Sequence, residues 1–324
     1  MTGVARIAAA FLCIAPTAVA EDYVFAPPLC AEPTGRDAAS LLRCHAPVFV
    51  LEQGERSYNR IGTPEIRSER GEEKVRVNPD VPAVFTEARR DRIGGKDVLH
   101  LLYRVHFTRL AFKPSVFFEM HKNVGVLAIV TLREPELAPI FFTTVYTCGC
   151  YRVLLPTDLL SIAALPPGWP RDRKKFYGAL LPAALKAPEP PRSRFVLHLA
   201  SKTHRTTSLE TLAAAPAGKH VELPLRPMED LRQLPVPGRP GVTGSLFYTS
   251  GPLKGHVRGA WSPIEGLTAG IFLLDLTLGM DKDFGDPEVT GTPFYTSLLP
   301  WRRDVSRLDR FDPLLRHLKF RLGS

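Results

Sequence analysis

The chain contains 324 residues, 44% of them hydrophobic, and carries a formal net charge of +9 at pH 7. This length and composition supply enough apolar side chains for a full-sized core and exclude a disordered or fibrous chain, since the 31 prolines cluster without repeating. The basic excess favours anionic partners such as envelope polymers or lipid headgroups, and it is too dispersed to indicate a nucleic-acid partner.

The first 20 residues have the three parts of a secretory signal peptide. Arg6 supplies a positive start, an apolar run spans 7–15, and Ala18 and Ala20 are small residues at the positions that a signal peptidase must accommodate. The run is shorter than the roughly 20 residues that a bilayer span requires. We expect cleavage near Ala20, a periplasmic or extracellular location, and a mature chain, 21–324, without a transmembrane span. With Arg6 removed, 41 Lys and Arg remain against 33 Asp and Glu, so the net charge of that chain is +8.

A β-rich region is predicted over 46–155. Its clearest strand is 98–107, where the odd-numbered residues are all apolar and most even-numbered ones are polar, the period of a half-buried strand. Gly94-Gly95, just before this strand, predicts a hairpin turn. Close spacing of the strands favours antiparallel pairing, because parallel neighbours need a longer crossover. The other strands predicted in this region are 46–51, 115–120, 125–132 and 140–155.

Residues 156–324 are predicted to be mixed and more helical. A short helix is expected over 176–186 and a strand over 194–200. The stretch 266–280 is apolar but too short to span a bilayer, so it predicts a buried core helix. Apolar residues at helical spacing predict a last helix within 305–320. The sum is an α+β fold with a largely antiparallel β-sheet core, covering helices and a more helical C-terminal third, in one domain.

Four cysteines remain after cleavage, and in an oxidising compartment an even number most often means disulfides. Cys30 and Cys44 flank a short predicted helix, at a loop size for which a bridge contributes about 3 kcal/mol. Cys148 and Cys150 cannot close in a regular strand, where residues two apart lie roughly 6.5–7 Å apart, but Gly149 could supply a bend. Three alternatives stay open for this pair: a local and easily reduced bridge, crossed disulfides to the other two cysteines, or a metal chelate of two thiolates.

Histidines supply the first candidate binding site. His100 and His106 share the polar face of the predicted strand 98–107, and His198 and His204 have the same six-residue offset further along the chain. If the two strands were neighbours, four imidazoles could converge on a divalent metal, the one cofactor that the pattern indicates. The alternative is that they are polar surface residues, since no carboxylate stands at a metalloprotease-like spacing.

An acidic loop supplies the second candidate. Asp281, Asp283 and Asp286 lie close together in the sequence and could offer oxygen ligands to calcium. Gly285, however, stands where a helix–loop–helix calcium loop has its third oxygen ligand. Capping the preceding helix and turning the chain is the alternative role for these residues.

The C-terminal stretch 301–321 combines Trp301 with seven Lys and Arg residues. Such a composition could place an amphipathic face on an anionic membrane surface. Asp304, Asp309 and Asp312 weaken this prediction, because they would pair with arginines and lower the local charge. A surface helix packed on the sheet is the alternative.

No motif in the chain indicates a reaction class. Serine-nucleophile elbows, Ser-x-x-Lys motifs and glycine-rich phosphate loops are absent from the sequence. We therefore expect an exported binding or envelope-associated protein. The alternative is a metal-dependent hydrolase or redox protein that uses the histidines and cysteines named above.

Overall fold

A computed structural model describes residues 21–28, 30, 36–111, 122–260 and 270–322. The predicted signal peptide, the predicted strand 115–120 and the first four residues of the predicted helix 266–280 lie outside the described residues. Within those ranges, no helix is long and apolar enough to cross a membrane.

Sheets dominate the fold, since strands make up 39% of the structure and helices 14%. The strands, in chain order, are β1 (Tyr23–Ala26), β2 (Val48–Leu51), β3 (Thr63–Glu69), β4 (Glu72–Asn78), β5 (Val84–Ile93), β6 (Lys96–His106), β7 (Gly125–Arg133), β8 (Ala138–Tyr146), β9 (Val153–Pro156), β10 (Arg173–Phe176), β11 (Ala179–Pro182), β12 (Arg194–Leu199), β13 (Thr206–Leu212), β14 (Lys219–Glu222), β15 (Leu225–Pro227), β16 (Leu234–Pro235) and β17 (Thr243–Gly244). Three α-helices lie wholly within the described ranges: α1 (Ala38–Cys44), α2 (Pro287–Thr290) and α3 (Phe311–His317).

Two large sheets form the body of the molecule. The first has six strands in the order β15-β5-β6-β7-β8-β9, and every neighbouring pair is antiparallel except β15 and β5. The second has five strands in the order β13-β12-β2-β1-β14, in which β12–β2 and β1–β14 are parallel. Apolar side chains from both sheets share one core, where the rings of Phe142 and Phe195 lie 4.7 Å apart. The strand pairs β3–β4, β10–β11 and β16–β17 are separate hairpins.

Strand β6 confirms the predicted alternation but not the predicted solvated face. Its odd-numbered residues, such as Leu99, enter the core between the two sheets. Gly94-Gly95 forms the turn from β5, with φ of 58° and 79°, values that favour glycine. On the even-numbered face Leu102 and Arg104 are fully buried. This strand is therefore covered on both sides.

The cover on that second side comes from the C-terminal part of the chain. Phe294, Leu308 and Phe311 pack in one apolar cluster with Leu127 of β7 and Phe141 of β8. The C-terminal part therefore contributes a layer of loops and short helices on the outer face of the six-stranded sheet, opposite the five-stranded sheet.

The predicted α+β class, with a more helical C-terminal third, is wrong: the fold is mostly β-sheet. Residues 176–186 enter the hairpin β10–β11 instead of a helix, because Tyr177 and Gly178 adopt positive φ and reverse the chain. In the described part of 266–280 only residues 270–272 are helical; turns follow, with Leu274 at a φ of 52°, and most of the apolar side chains are exposed and do not lie in the core. In the last predicted helix, only the seven residues of α3 are α-helical.

Candidate functional site

The four cysteines form two local disulfides. Cys30 is bonded to Cys44, and Cys148 is bonded to Cys150. The first bridge clips α1 to the segment before it, as the spacing predicts, and both of its cysteines are buried. Of the alternatives for the second pair, the local bridge is the one adopted. Two disulfides are compatible with a protein that works in an oxidising place outside the cytoplasm.

Cys148, Gly149 and Cys150 form a tight turn after β8, which we call the disulfide turn. Gly149 supplies the predicted bend with a φ of 87°, and a Cβ at this position would overlap the carbonyl oxygen of Tyr295. The Gly149 N–H donates to the carbonyl of Tyr146 at 2.7 Å, and the Tyr146 N–H donates to the carbonyl of Cys150 at 3.0 Å. The Cys150 N–H points at Sγ of Cys148, 3.4 Å away. Cys148 is buried, whereas Cys150 is half-buried.

The four candidate histidines are not brought together. His100 and His106 belong to β6 of the six-stranded sheet, His198 belongs to β12 of the five-stranded sheet, and His204 follows β12. Each has a protein partner: Thr131 Oγ1 at 3.0 Å for His100, Arg104 Nε at 3.0 Å for His106, Glu210 Oε1 at 2.9 Å for His198, and the Tyr58 carbonyl at 2.9 Å for His204.

The surroundings of His100, His106 and His204 suit neutral, packed rings. Burial lowers the pKa of His100, His106 and His204, that of His204 to about 3, and His204 stacks on Phe107 with ring centroids 3.8 Å apart. Across the described residues, no group of three or more His, Cys, Asp or Glu side chains could hold a metal ion.

The three aspartates of the predicted acidic loop have separate structural roles. Asp281 accepts hydrogen bonds from the Gly125 N–H at 2.7 Å and from the Thr147 hydroxyl. Asp283 receives two hydrogen bonds from the guanidinium of Arg232, at 2.8 and 3.0 Å. Asp286 caps α2, where its side chain accepts from the Glu288 N–H. Asp281 and Asp283 are buried, so their oxygens bond to the protein itself.

Two of these aspartates, Asp281 and Asp283, flank the buried Lys282 and lie near the buried Arg104. We call Arg104, Asp281, Lys282 and Asp283 the charged cluster. Arg104 is fully buried and Lys282 is 1% exposed. Arg104 donates to the carbonyl of Lys282 at 2.9 Å. Lys282 Nζ donates to the carbonyl of Cys148 at 3.2 Å, and burial lowers the pKa of Lys282 to about 8. The cluster therefore lies directly against the disulfide turn.

An exposed apolar region lies close by in the sequence, and we call Ile271, Phe272, Leu274, Leu276, Leu298 and Trp301 the apolar surface. Phe272 is 87% exposed, Leu274 79% and Trp301 77%. Its two segments, 271–276 and 298–301, are tethered by polar contacts. Arg303 donates to the Leu273 carbonyl at 2.7 Å and to the Leu298 carbonyl at 3.4 Å. The hydroxyl of Tyr295 donates to Asp275.

A cleft of about 660 Å³ opens between α1 and the edge of the six-stranded sheet. Arg43, Glu87 and Arg226 contribute charged groups to its wall. Burial raises the pKa of the Glu87 carboxyl above its ordinary value. The cleft includes none of the histidines, cysteines or aspartates that the sequence indicates.

The sequence patterns missed the two most unusual groups of side chains. The alternation in 98–107 predicts that Arg104 lies on a polar strand face, and nothing in the local pattern indicates complete burial. Lys282 lies between two aspartates, directly after an apolar stretch, which is typical of a solvated turn. One signal speaks against a buried helix directly before Lys282: the apolar stretch 266–280 is interrupted by Asp275 and two threonines.

Comparison with protein-family models, curated proteins and solved structures finds no match for this chain.

Proposed function

We propose that the protein is an exported envelope-associated binding protein that docks on an anionic lipid surface through the apolar surface. The observation that carries the proposal is the exposure of Phe272, Leu274 and Trp301, each more than three-quarters accessible. Large apolar side chains scattered singly on a surface are ordinary, but a group of them marks an interaction site.

The chemistry of these side chains favours a lipid surface. Tryptophan prefers the boundary between lipid and water, where its ring is buried and its N–H stays hydrated. Moving a side chain such as Phe272 or Leu274 out of water contributes about 2 kcal/mol. Several such residues on one surface provide enough apolar area for reversible attachment without a membrane span.

The charges beside the apolar surface favour anionic headgroups. Arg302 is exposed next to Trp301, and a basic side chain close to an anionic membrane contributes about 1 kcal/mol. Two acidic residues of 301–321 form ion pairs with arginines. Asp309 pairs with Arg307 and Asp312 pairs with Arg316, both at 2.5 Å. Asp304 is the one exposed acidic residue of 301–321, whereas Arg302, Arg310 and Lys319 are exposed too, so the exposed charge of this stretch is positive.

Sedimentation with lipid vesicles tests this proposal. The mature protein is mixed with vesicles of equal phosphatidylglycerol and phosphatidylcholine, or of phosphatidylcholine alone, at low and high salt. We expect binding to the anionic vesicles that weakens as salt rises, because salt screens exposed charges. The double variant Phe272→Ser with Leu274→Ser should bind at least tenfold more weakly.

The matched control is Ile162→Ser. Ile162 is also 87% exposed but lies on a separate turn, residues 162–164, so this variant should bind like the unchanged protein. Equal binding by the double variant would contradict the proposal. So would ultracentrifugation that finds a dimer of the unchanged protein and a monomer of the double variant, because the apolar surface would then be a contact between two copies.

A further inference from the structure

The two disulfides differ in ways that bear on their reactivity. Cys30 and Cys44 are 14 positions apart in the sequence and 5% and 3% exposed. Cys148 and Cys150 are only 2 positions apart, and Cys150 is half-buried. A bridge that closes so short a loop removes less freedom from the unfolded chain and so stabilises the fold less. A reactive disulfide also needs one sulfur that an incoming thiolate can reach.

The disulfide turn is arranged to release Cys148 as the leaving group. The Cys150 N–H lies 3.4 Å from Sγ of Cys148, and a hydrogen bond to sulfur favours the thiolate over the thiol. Lys282 adds a buried positive charge next to the same residue, with Nζ 3.2 Å from the Cys148 carbonyl. Nearby cations lower the pKa of a cysteine thiol.

The turn is held by backbone hydrogen bonds as well as by the sulfur–sulfur bond. Its backbone is held by the hydrogen bonds of Gly149 to Tyr146 and of Tyr146 to Cys150. Gly149 lies against the backbone of Tyr295, whose ring is 4.5 Å from Lys282 Nζ. Two thiols formed here would therefore stay close together, and proximity favours closing the bond again.

We propose that Cys148 and Cys150 form a thiol–disulfide exchange site whose substrate is a protein dithiol. A thiolate of the dithiol attacks Sγ of Cys150, the bond between Cys150 and Cys148 breaks, and its electron pair leaves on Sγ of Cys148. The second thiolate of the substrate then attacks its own sulfur in the mixed disulfide and releases Cys150. The substrate leaves as a disulfide, and Cys148 and Cys150 have gained two electrons and take up two protons.

Selective reduction of the folded, mature protein tests this assignment. The protein is equilibrated with mixtures of reduced and oxidised dithiothreitol, quenched with acid, alkylated and analysed by peptide mass spectrometry. We expect Cys148–Cys150 to reach half-reduction at a ratio of reduced to oxidised reagent at least tenfold lower than Cys30–Cys44, which serves as the control in the same molecule. Circular dichroism should stay unchanged while only the first pair is reduced. Simultaneous reduction of both bridges, or earlier reduction of Cys30–Cys44, would overturn the proposal.

Trapping of the mixed disulfide tests which sulfur is attacked. The unchanged oxidised protein is treated briefly with reduced glutathione, quenched with acid, alkylated and analysed by peptide mass spectrometry. We expect glutathione on Cys150 and the alkyl group on Cys148 in at least tenfold excess over the reverse arrangement. Equal amounts, or an excess of glutathione on Cys148, would overturn the assigned direction of attack. The outcome is independent of vesicle binding by the apolar surface.

Discussion

The apolar surface and the charged cluster reverse the usual distribution of side chains. Phe272 and Leu274 lie in water, while Asp281, Lys282 and Asp283, only a few residues later, are at most 3% exposed. The charged residues are buried because the chain segments packed around them supply partners. The Lys282 N–H donates to the Thr147 carbonyl and the Asp283 N–H to the Gly255 carbonyl, both at 2.7 Å.

This difference shows how hydrogen-bond partners, more than hydropathy, can decide what is buried. Taking an ion out of water costs several kcal/mol unless an opposite charge and hydrogen bonds replace the water. Asp283 has such a replacement in the two hydrogen bonds from Arg232. Leaving an apolar side chain exposed to water costs less free energy than burying an unpaired ion. When a partner covers the side chain, the free energy of its burial stabilises the complex. Three predictions test this contrast.

The largest effect is expected from Asp283→Ala. This change removes the buried carboxylate that accepts two hydrogen bonds from Arg232 and leaves that guanidinium with only the exposed Glu229. Breaking a buried ion pair typically costs about 3–5 kcal/mol. The control is Glu229→Ala, because Glu229 contacts the same Arg232 at 2.7 Å but is 55% exposed, so about 1 kcal/mol or less is expected. Urea unfolding measures both variants. Similar losses would show that burial of the pair does not matter.

A smaller effect is expected from acid acting on His256. Burial lowers the pKa of this side chain to about 4, from an ordinary 6.5. Between these values the unfolded chain binds the proton and the folded protein does not, so stability is full above pH 6.5 and falls as the pH drops towards 4. At pH 5 the loss is about 2 kcal/mol. His256→Gln should remove this part of the pH dependence of unfolding, whereas His220→Gln, at an exposed site, should retain it. An unchanged pH dependence in His256→Gln would contradict the prediction.

The smallest effect on stability is expected from Phe272→Ala. Because this ring is 87% exposed, its loss should change the free energy of unfolding by about 0.5 kcal/mol or less. Phe294→Ala is the control, since this ring is fully buried and its removal typically costs 3–5 kcal/mol. Urea unfolding compares the two. A loss of several kcal/mol in Phe272→Ala would mean that the ring packs against the protein in solution.

Several parts of the candidate sites follow from local sequence. The local bridge between Cys30 and Cys44 and the bend at Gly149 are consequences of spacing, because two cysteines near each other in sequence stay near each other in most folds. The helix cap at Asp286 is equally local, although it caps the helix that follows and not one that precedes. The predicted convergence of four histidines does not follow from local sequence. It requires β6 and β12 to be neighbouring strands, and they lie in different sheets.

The sequence by itself determined the elements whose signals are contained within a few residues. The Gly94-Gly95 turn and the alternation in β6 are of this kind, since a positive φ at glycine and a period of two depend only on neighbouring residues. Only the tertiary structure decided that the polar face of β6 is buried. Arg104 is covered there by residues almost 180 positions further along the chain, such as Lys282. Burial depends on what packs against a residue, and no local pattern carries that information.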